Sequence, residues 1–220
     1  MVRQTDIVAV GGDLSPQRLI HAYANGIFPW YAEGEPILWW SPDPRLVLFP
    51  SEVHISRSMR RVLSHPPFDR ITLDRNFREV IEACRESRIK QPGTWITPAI
   101  LEAYNQLHEI GLAHSIEVWR QGKLAAGLYG VSLGKCFFGE SMFHRQSNAS
   151  KFAFIKLAQK LEEWGFLILD CQVSSPFLQS LGTQEIPRQE FLQTLYHCLE
   201  FKTQVGRWNY TTPAPLPWTP

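Results

Sequence analysis

The sequence predicts an α+β fold: a small N-terminal α/β domain over residues 1–65, then a larger domain over residues 66–220 with a mixed sheet and flanking helices. Three observations carry this. After residue 70 the pattern runs strand, helices, three strands, long helix, strand, helix, an order that builds a sheet covered by helices. Two of those strands are joined by the tight turn Gln121-Gly122. Finally, His65-Pro66-Pro67 breaks the periodic pattern and marks the boundary. A chain of 220 residues accommodates such a division and buries a sizeable core without disulfides or metals.

The elements follow in order. Ile7 to Val10 is a short apolar run ending at Gly11-Gly12. Ser15-Pro16 starts a helix as N-cap and first helical residue, and Asn25-Gly26 stops it. Ile27 to Tyr31 is a stiff aromatic loop. Ile37–Trp40 and Leu46–Phe49 are short strands, and Ser56 to Leu63 is a helix. Beyond the boundary come a strand at Arg70–Leu73, a helix at Phe77–Arg85, a loop at Gln91-Pro92-Gly93 and a helix from Thr97-Pro98 to about Ile110. Strands at His114–Arg120, Lys123–Leu133 and Cys136–Met142 lead into a helix at Ala149–Trp164, for which Ser147 or Ser150 is the N-cap. A strand at Phe166–Val173, a helix at Pro187–Glu200 and an extended Pro-rich tail beyond Thr211 complete the chain. The N-acetyltransferase superfamily has the same order in its GNAT-type sheet, which is a fold-level analogy and carries no function by itself.

Composition excludes several classes. The net charge is +1, so no whole-molecule footprint for nucleic acid exists, although residues 45–75 hold six Arg against Glu52, Asp69 and Asp74. The four cysteines are widely spaced with no C-x-x-C pair, which reads as reduced, mostly buried thiols, with neither metal site nor disulfide framework. The N-terminus lacks an apolar signal core, and no run of about 18 apolar residues exists. The expected location is cytoplasmic. No histidine has a triad partner, and metal-ligand spacing is absent.

Three segments hold residues suited to chemistry. In Leu167–Val173, strand alternation puts Asp170 and Gln172 on one face and Cys171 on the other. A carboxylate in so apolar a run is costly unless partnered or used. Asp170 reads either as a proton acceptor beside an orienting Gln172, or as a strand-end Asp capping the next turn. In Phe137–Phe143, Gly139 leaves room beside Glu140 for another group. Glu140 suits a cationic ligand and Met142 an adaptable apolar pocket; a surface Glu and a core Met fit the segment equally. Third, Phe28-Pro29-Trp30-Tyr31 and Trp39-Trp40 offer aromatic rings for stacking on a base, with Arg45 in reach of a phosphate. The alternative for these aromatics is packing between domains. The loop Arg145–Ser150 holds no glycine, unlike the pyrophosphate loop an acetyl-coenzyme A enzyme is expected to carry.

Together these motifs resemble one family. Gly11-Gly12-Asp13-Leu14-Ser15, Gly26-Ile27-Phe28-Pro29-Trp30, Trp39-Trp40-Ser41-Pro42-Asp43-Pro44-Arg45, His54-Ile55-Ser56-Arg57-Ser58 and Gly93-Thr94-Trp95-Ile96-Thr97 are similar to blocks of the leucyl/phenylalanyl-tRNA–protein transferases. So are His114–Trp119, Gly139-Glu140-Ser141-Met142-Phe143, Asn148-Ala149-Ser150-Lys151 and Asp170-Cys171-Gln172-Val173. The blocks keep the family's order over about residues 11 to 190.

The resemblance implies an aminoacyltransferase that moves leucine or phenylalanine from the 3′ end of charged tRNA to proteins with N-terminal Arg or Lys, marking them for degradation. It implies no cofactor, because the ester is already activated, no membrane association, and a monomer. Carried over residue by residue, Asp170 and Gln172 are the catalytic pair: Gln172 positions the acceptor amine and Asp170 helps withdraw its proton. Glu140 faces the acceptor's cationic side chain. Trp30 and Trp95 hold the adenosine, and Met142, Leu128 and Phe138 form the apolar pocket, with Leu128 standing where some relatives carry Met. The other readings are an acetyl-coenzyme A-dependent N-acetyltransferase and a non-catalytic tRNA-binding module.

Overall fold

The computed structural model describes residues 3–88 and 94–213. The loop expected at Gln91-Pro92-Gly93 lies outside them, as does most of the Pro-rich tail. The N-terminal third holds β1 (Ile7–Val10), α1 (Pro16–Ala24), β2 (Phe28–Pro29), β3 (Leu38–Trp40), β4 (Arg45–Leu48) and α2 (Arg57–Ser64). Next come β5 (Arg70–Leu73), α3 (Phe77–Arg88), α4 (Pro98–Glu109), β6 (Ala113–Arg120), β7 (Lys123–Leu133) and β8 (Cys136–His144). The chain continues through α5 (Ala149–Glu163), β9 (Ile168–Gln172), α6 (Pro176–Gln179), β10 (Gln184–Ile186), α7 (Arg188–Leu199) and β11 (Tyr210–Pro213). No helix among the described residues is long and apolar enough to cross a membrane.

Two sheets form. β1, β3 and β2 make a small antiparallel sheet in that order. The large sheet runs β10-β4-β9-β8-β7-β6-β5-β11. Its neighbours are antiparallel except β8 and β9, which pair parallel over Cys136–Phe138 and Ile168–Asp170. The long connection through α5 is what a parallel crossover requires. This is the expected α+β class, with a mixed sheet and helices on both faces.

Each face has its own core. Leu19 and Tyr23 of α1, Phe77 and Val80 of α3, Tyr104 of α4 and Phe191 of α7 pack with Tyr129 and Val131 of β7. Met59 and Leu63 of α2 and Phe152, Phe154 and Leu157 of α5 pack on the other side with Ala126 and Leu128. The strand period of two sends Leu128 and Tyr129 to opposite faces, so one strand serves both cores.

Several local expectations change. Residues 45–64, grouped by sequence with the N-terminal domain, contribute β4 and α2 to the large sheet and its core. The break at His65-Pro66-Pro67 ends a helix and does not separate two sheets. β2 is a two-residue strand inside the aromatic loop. α6 and β10 were not anticipated, although Ser175-Pro176 carries a start signal and the Ser175 hydroxyl accepts the Leu178 N–H. The residue capping α5 is Asn148 in the left-handed region, so neither Ser147 nor Ser150 fills that role.

The C-terminal segment is tied to the sheet by buried polar groups. Asp74 accepts bonds from the Ser115 and Trp208 N–H groups at 2.8 and 2.7 Å and meets His114 Nδ1 at 2.8 Å, while the His114 and Trp208 rings stack. Next to it Glu117 is buried and accepts hydrogen bonds from the Thr72 and Ser115 hydroxyls. Burial pushes the Glu117 carboxyl up to about 7 against those bonds.

Candidate active site

The parallel pairing of β8 and β9 stops at Phe138 and Asp170, while β8 runs on to His144 paired only with β7. A cleft therefore opens at the carboxyl ends of the parallel pair, where ligands of mixed sheets commonly sit. A cavity of about 290 Å³ occupies it, lined from β8 by Gly139 to Met142 and from β9 and the following loop by Leu169 and Cys171 to Ser175. Phe28, Pro29, Trp30, Arg88, Trp95, Leu128, Phe154 and Leu178 complete the wall.

Two bulges shape the site. Between β7 and β8 the register slips from Tyr129↔Ser141 to Gly130↔Gly139, which leaves Glu140 without an opposite residue. Gly130 makes this possible, because a Cβ there would lie 2.1 Å from the Phe138 carbonyl. Between β4 and β9 it slips from Leu46↔Gln172 to Val47↔Asp170, which leaves Cys171 unpaired, and Gln172 takes a φ of 61°. Bulges re-aim side chains, and here they turn Glu140 and Gln172 toward each other. The Gln172 side-chain amide donates to Glu140 Oε1 at 2.7 Å.

Glu140 is the centre of a buried network. Its carboxylate accepts the Tyr23 hydroxyl at 2.7 Å and the Tyr104 hydroxyl at 3.1 Å, and those two hydroxyls also contact each other. Three oxygen–oxygen contacts thus share two tyrosine protons, so a third proton on Glu140 fits the ring. Burial pushes the Glu140 carboxyl up to about 7; the bonds from Tyr23 and Tyr104 restrain that rise, the negative charge of Asp170 adds to it, and Gln172 restrains it further. Burial and the neighbouring carboxylate likewise hold the Tyr23 and Tyr104 hydroxyls well above their ordinary range. The result is a carboxyl on the cavity wall that changes charge near neutral pH.

Asp170 is arranged differently. It has no exposed surface and does not line the cavity. Arg45 Nε donates to its Oδ1 at 2.8 Å and Nη2 to its Oδ2 at 2.6 Å, and the Gln172 backbone N–H donates to Oδ1 at 2.9 Å. The bulge breaks the alternation that would have put Asp170 and Gln172 side by side on one face. Arg45 does not reach a phosphate either. Its side chain is wholly buried, with the guanidinium against the rings of Phe28 and Phe191 at 4.9 and 4.6 Å. Phe138 is also no part of the cavity: it is fully buried and packs on the Tyr23 ring at 5.0 Å between centroids, supporting the tyrosine beneath Glu140.

The remaining expected residues come together. Trp30 and Trp95 line the same cavity as Glu140 and Gln172. Trp30 is steadied by Trp40, whose ring lies 5.6 Å away and whose indole N–H donates to the Trp30 carbonyl at 2.6 Å. Leu128, Met142, Phe154 and Leu169 form an apolar region of the wall. Sequence reasoning missed Tyr23, Tyr104, Phe154, Ser141 and Arg88. The tyrosines sit on helical core stripes with nothing to mark them as polar partners, and Arg88 is one of two Arg in the last turn of α3.

Comparison with known proteins finds one family. A family model described as leucyl/phenylalanyl-tRNA protein transferase matches residues 47–196, and the model of its N-terminal domain matches residues 12–43. Curated proteins named leucyl/phenylalanyl-tRNA–protein transferase are similar over nearly the whole chain. The one from Nitrosospira multiformis is 52% identical over 210 residues, which is 96% of this chain and 90% of that protein. The one from Azotobacter vinelandii is 55% identical over 194 residues, 88% of this chain and 85% of the relative. The one from Syntrophus aciditrophicus is 54% identical over 210 residues, 95% and 87% of the two chains.

Proposed function

The chain belongs to the leucyl/phenylalanyl-tRNA protein transferase family, and from that premise we propose that it transfers leucine or phenylalanine from the 3′ end of tRNA to the α-amine of proteins with N-terminal Arg or Lys. The observation that carries this reading is Glu140, the one carboxylate on the cavity wall among the described residues, set between aromatic rings suited to a nucleoside and an apolar region suited to an aliphatic or aromatic side chain. The product is a protein with a destabilising N-terminus, marked for degradation. The enzyme works in the cytoplasm as a monomer.

The donor's adenosine stacks on Trp30 and Trp95, and its amino-acid side chain enters the region of Leu128 and Met142. The acceptor's α-amine approaches Glu140 and Gln172. A protonated amine is no nucleophile, so its proton must leave before or during attack. The amine nitrogen forms a C–N bond with the ester carbonyl and its proton passes to ionised Glu140. The C–O bond to the ribose 3′-oxygen then breaks, and Glu140 returns the proton to that oxygen. An ammonium acceptor sheds one further proton to solvent before attack, so transfer releases one proton overall and needs no external activation. Gln172 orients the amine and holds the Glu140 carboxylate through the 2.7 Å bond. Asp170 acts one step back: with Arg45 it fixes the Gln172 backbone in its left-handed turn.

The test is transfer of labelled leucine from leucyl-tRNA to a protein beginning with Arg, beside the same protein with an acetylated N-terminus. Transfer to the free N-terminus alone is expected. Acetyl-coenzyme A binding without any leucyl transfer would overturn the reading.

A further inference from the structure

Among the described residues, the cavity wall holds one cation, Arg88, as well as one anion, Glu140. Arg88, half-buried at the end of α3, lines the cavity that Trp30, Trp95 and Glu140 line. Its Nε–H donates to the Ser141 hydroxyl at 3.2 Å. Ser141 follows Glu140 directly on β8 and is buried, so this bond holds the guanidinium against the wall. Among the described residues no carboxylate forms an ion pair with Arg88, and the residues that follow it, 89–93, include no acid. The other two guanidinium nitrogens have no hydrogen-bond partner among the described residues, which leaves a planar pair of donors for an anion. Glu140 does not neutralise it, being engaged by Tyr23, Tyr104 and Gln172.

We propose that Arg88 binds the 5′-phosphate group of the donor's terminal adenosine, making the cavity's charges complementary to its two substrates. The inference rests on the transferase reading. In that reading the acceptor is cationic and is matched by Glu140, and would be repelled by Arg88. The donor's anion nearest the reacting ester is the phosphate on the 5′ side of the same nucleoside. Arg88 shares a wall with the two tryptophans suited to that nucleoside, whereas Arg45 is sealed in the core. Its last-turn position also favours a cation through the helix dipole, which keeps the side chain charged and in place.

The experiment is calorimetric titration of the full chain with adenosine and with adenosine 5′-monophosphate, for the native protein, Arg88→Gln and Arg88→Lys. The native protein is expected to bind the nucleotide about tenfold more tightly than the nucleoside, in line with one charge-assisted pair. Arg88→Gln brings that ratio to about one, and Arg88→Lys retains part of it, because the charge remains and the fork does not. A native ratio of one overturns the proposal without any variant, and so does an unchanged ratio in Arg88→Gln. A purely structural Arg88 would lower thermal stability and leave the ratio alone. Because no acceptor protein is present, an Arg88-dependent ratio supports this assignment even if leucyl transfer fails, a failure that would count against the transferase reading alone. Transfer with a ratio of one counts against Arg88 alone.

Discussion

Arg45 and Asp170 meet through two parallel hydrogen bonds, at 2.8 and 2.6 Å, with neither side chain exposed to solvent. They are 125 residues apart in sequence, and the pair joins β4 to β9 at the point where β9 turns to present Gln172 to the cavity. With the Gln172 N–H as a further donor, both Asp170 oxygens are engaged. The pair is an anchor for the site, and the carboxylate that lines the cavity is Glu140.

Asp170→Ala leaves a buried, unpaired guanidinium and is expected to destabilise the fold by about 3–5 kcal/mol, read by chemical denaturation. Replacing both partners, as in Arg45→Met with Asp170→Leu, costs less than the two single changes added together. Additive losses would contradict the anchoring role. Transfer by the folded fraction of Asp170→Ala falls as well, since Gln172 loses the bond that holds its backbone.

In the proposed mechanism transfer requires ionised Glu140, whose carboxyl is pushed up to about 7. The single-turnover rate is therefore expected to climb with pH through about 7, and to rise further to about 8 as the acceptor α-amine loses its own proton. Tyr23 restrains the rise of that carboxyl by donating to it. Removing the hydroxyl in Tyr23→Phe shifts the midpoint to higher pH, as does Tyr104→Phe. A midpoint unmoved in both variants would show that these tyrosines only fill space.

Glu117 supplies a test of stability away from the cavity. Its carboxyl is raised from 4.5 to about 7 in the fold, so its contribution is fully present below 4.5 and is lost as pH rises through about 7. In Glu117→Gln that loss is absent. Relative to the native protein, the variant should gain roughly 2–3 kcal/mol between pH 5 and pH 8. Glu140 and His114 titrate in both chains and cancel from this difference. A difference in stability independent of pH would show that Glu117 keeps an ordinary pKa.

Trp30→Ala removes one wall of the proposed adenosine site. A base–aromatic stack is worth about 1–3 kcal/mol, so the donor KM is expected to rise about 5- to 150-fold while the acceptor KM changes little. Steady-state kinetics with each substrate varied in turn decides this. Equal increases in both constants would assign Trp30 to packing with Trp40.

The sequence made much of the fold legible because its signals are local. Ser15-Pro16 and Thr97-Pro98 start helices, and Gln121-Gly122 closes the hairpin of β6 and β7. Glu140, Gln172, Trp30, Trp95, Met142 and Leu128, singled out on separate segments, line one cavity. What escaped depends on register and on distant partners. A bulge inserts one residue without disturbing composition, so nothing in Phe137–Phe143 or Leu167–Val173 discloses that Glu140 swings inward while Asp170 is sealed away. The partner of Asp170 lies on a strand that looked like part of another domain, and its Arg looked like a surface cation. Tyr23 and Tyr104 occupy positions any apolar residue would fill, and only the folded chain brings their hydroxyls to a carboxylate.

The most direct test of the account is the rate of labelled leucine transfer from leucyl-tRNA to a protein with N-terminal Arg, measured for the native chain and for Glu140→Gln at pH 7.5. The account predicts efficient transfer by the native protein and a loss of about 100- to 10,000-fold in the variant, the range for removing a general base. A Glu140→Gln enzyme that transfers at the native rate would contradict it.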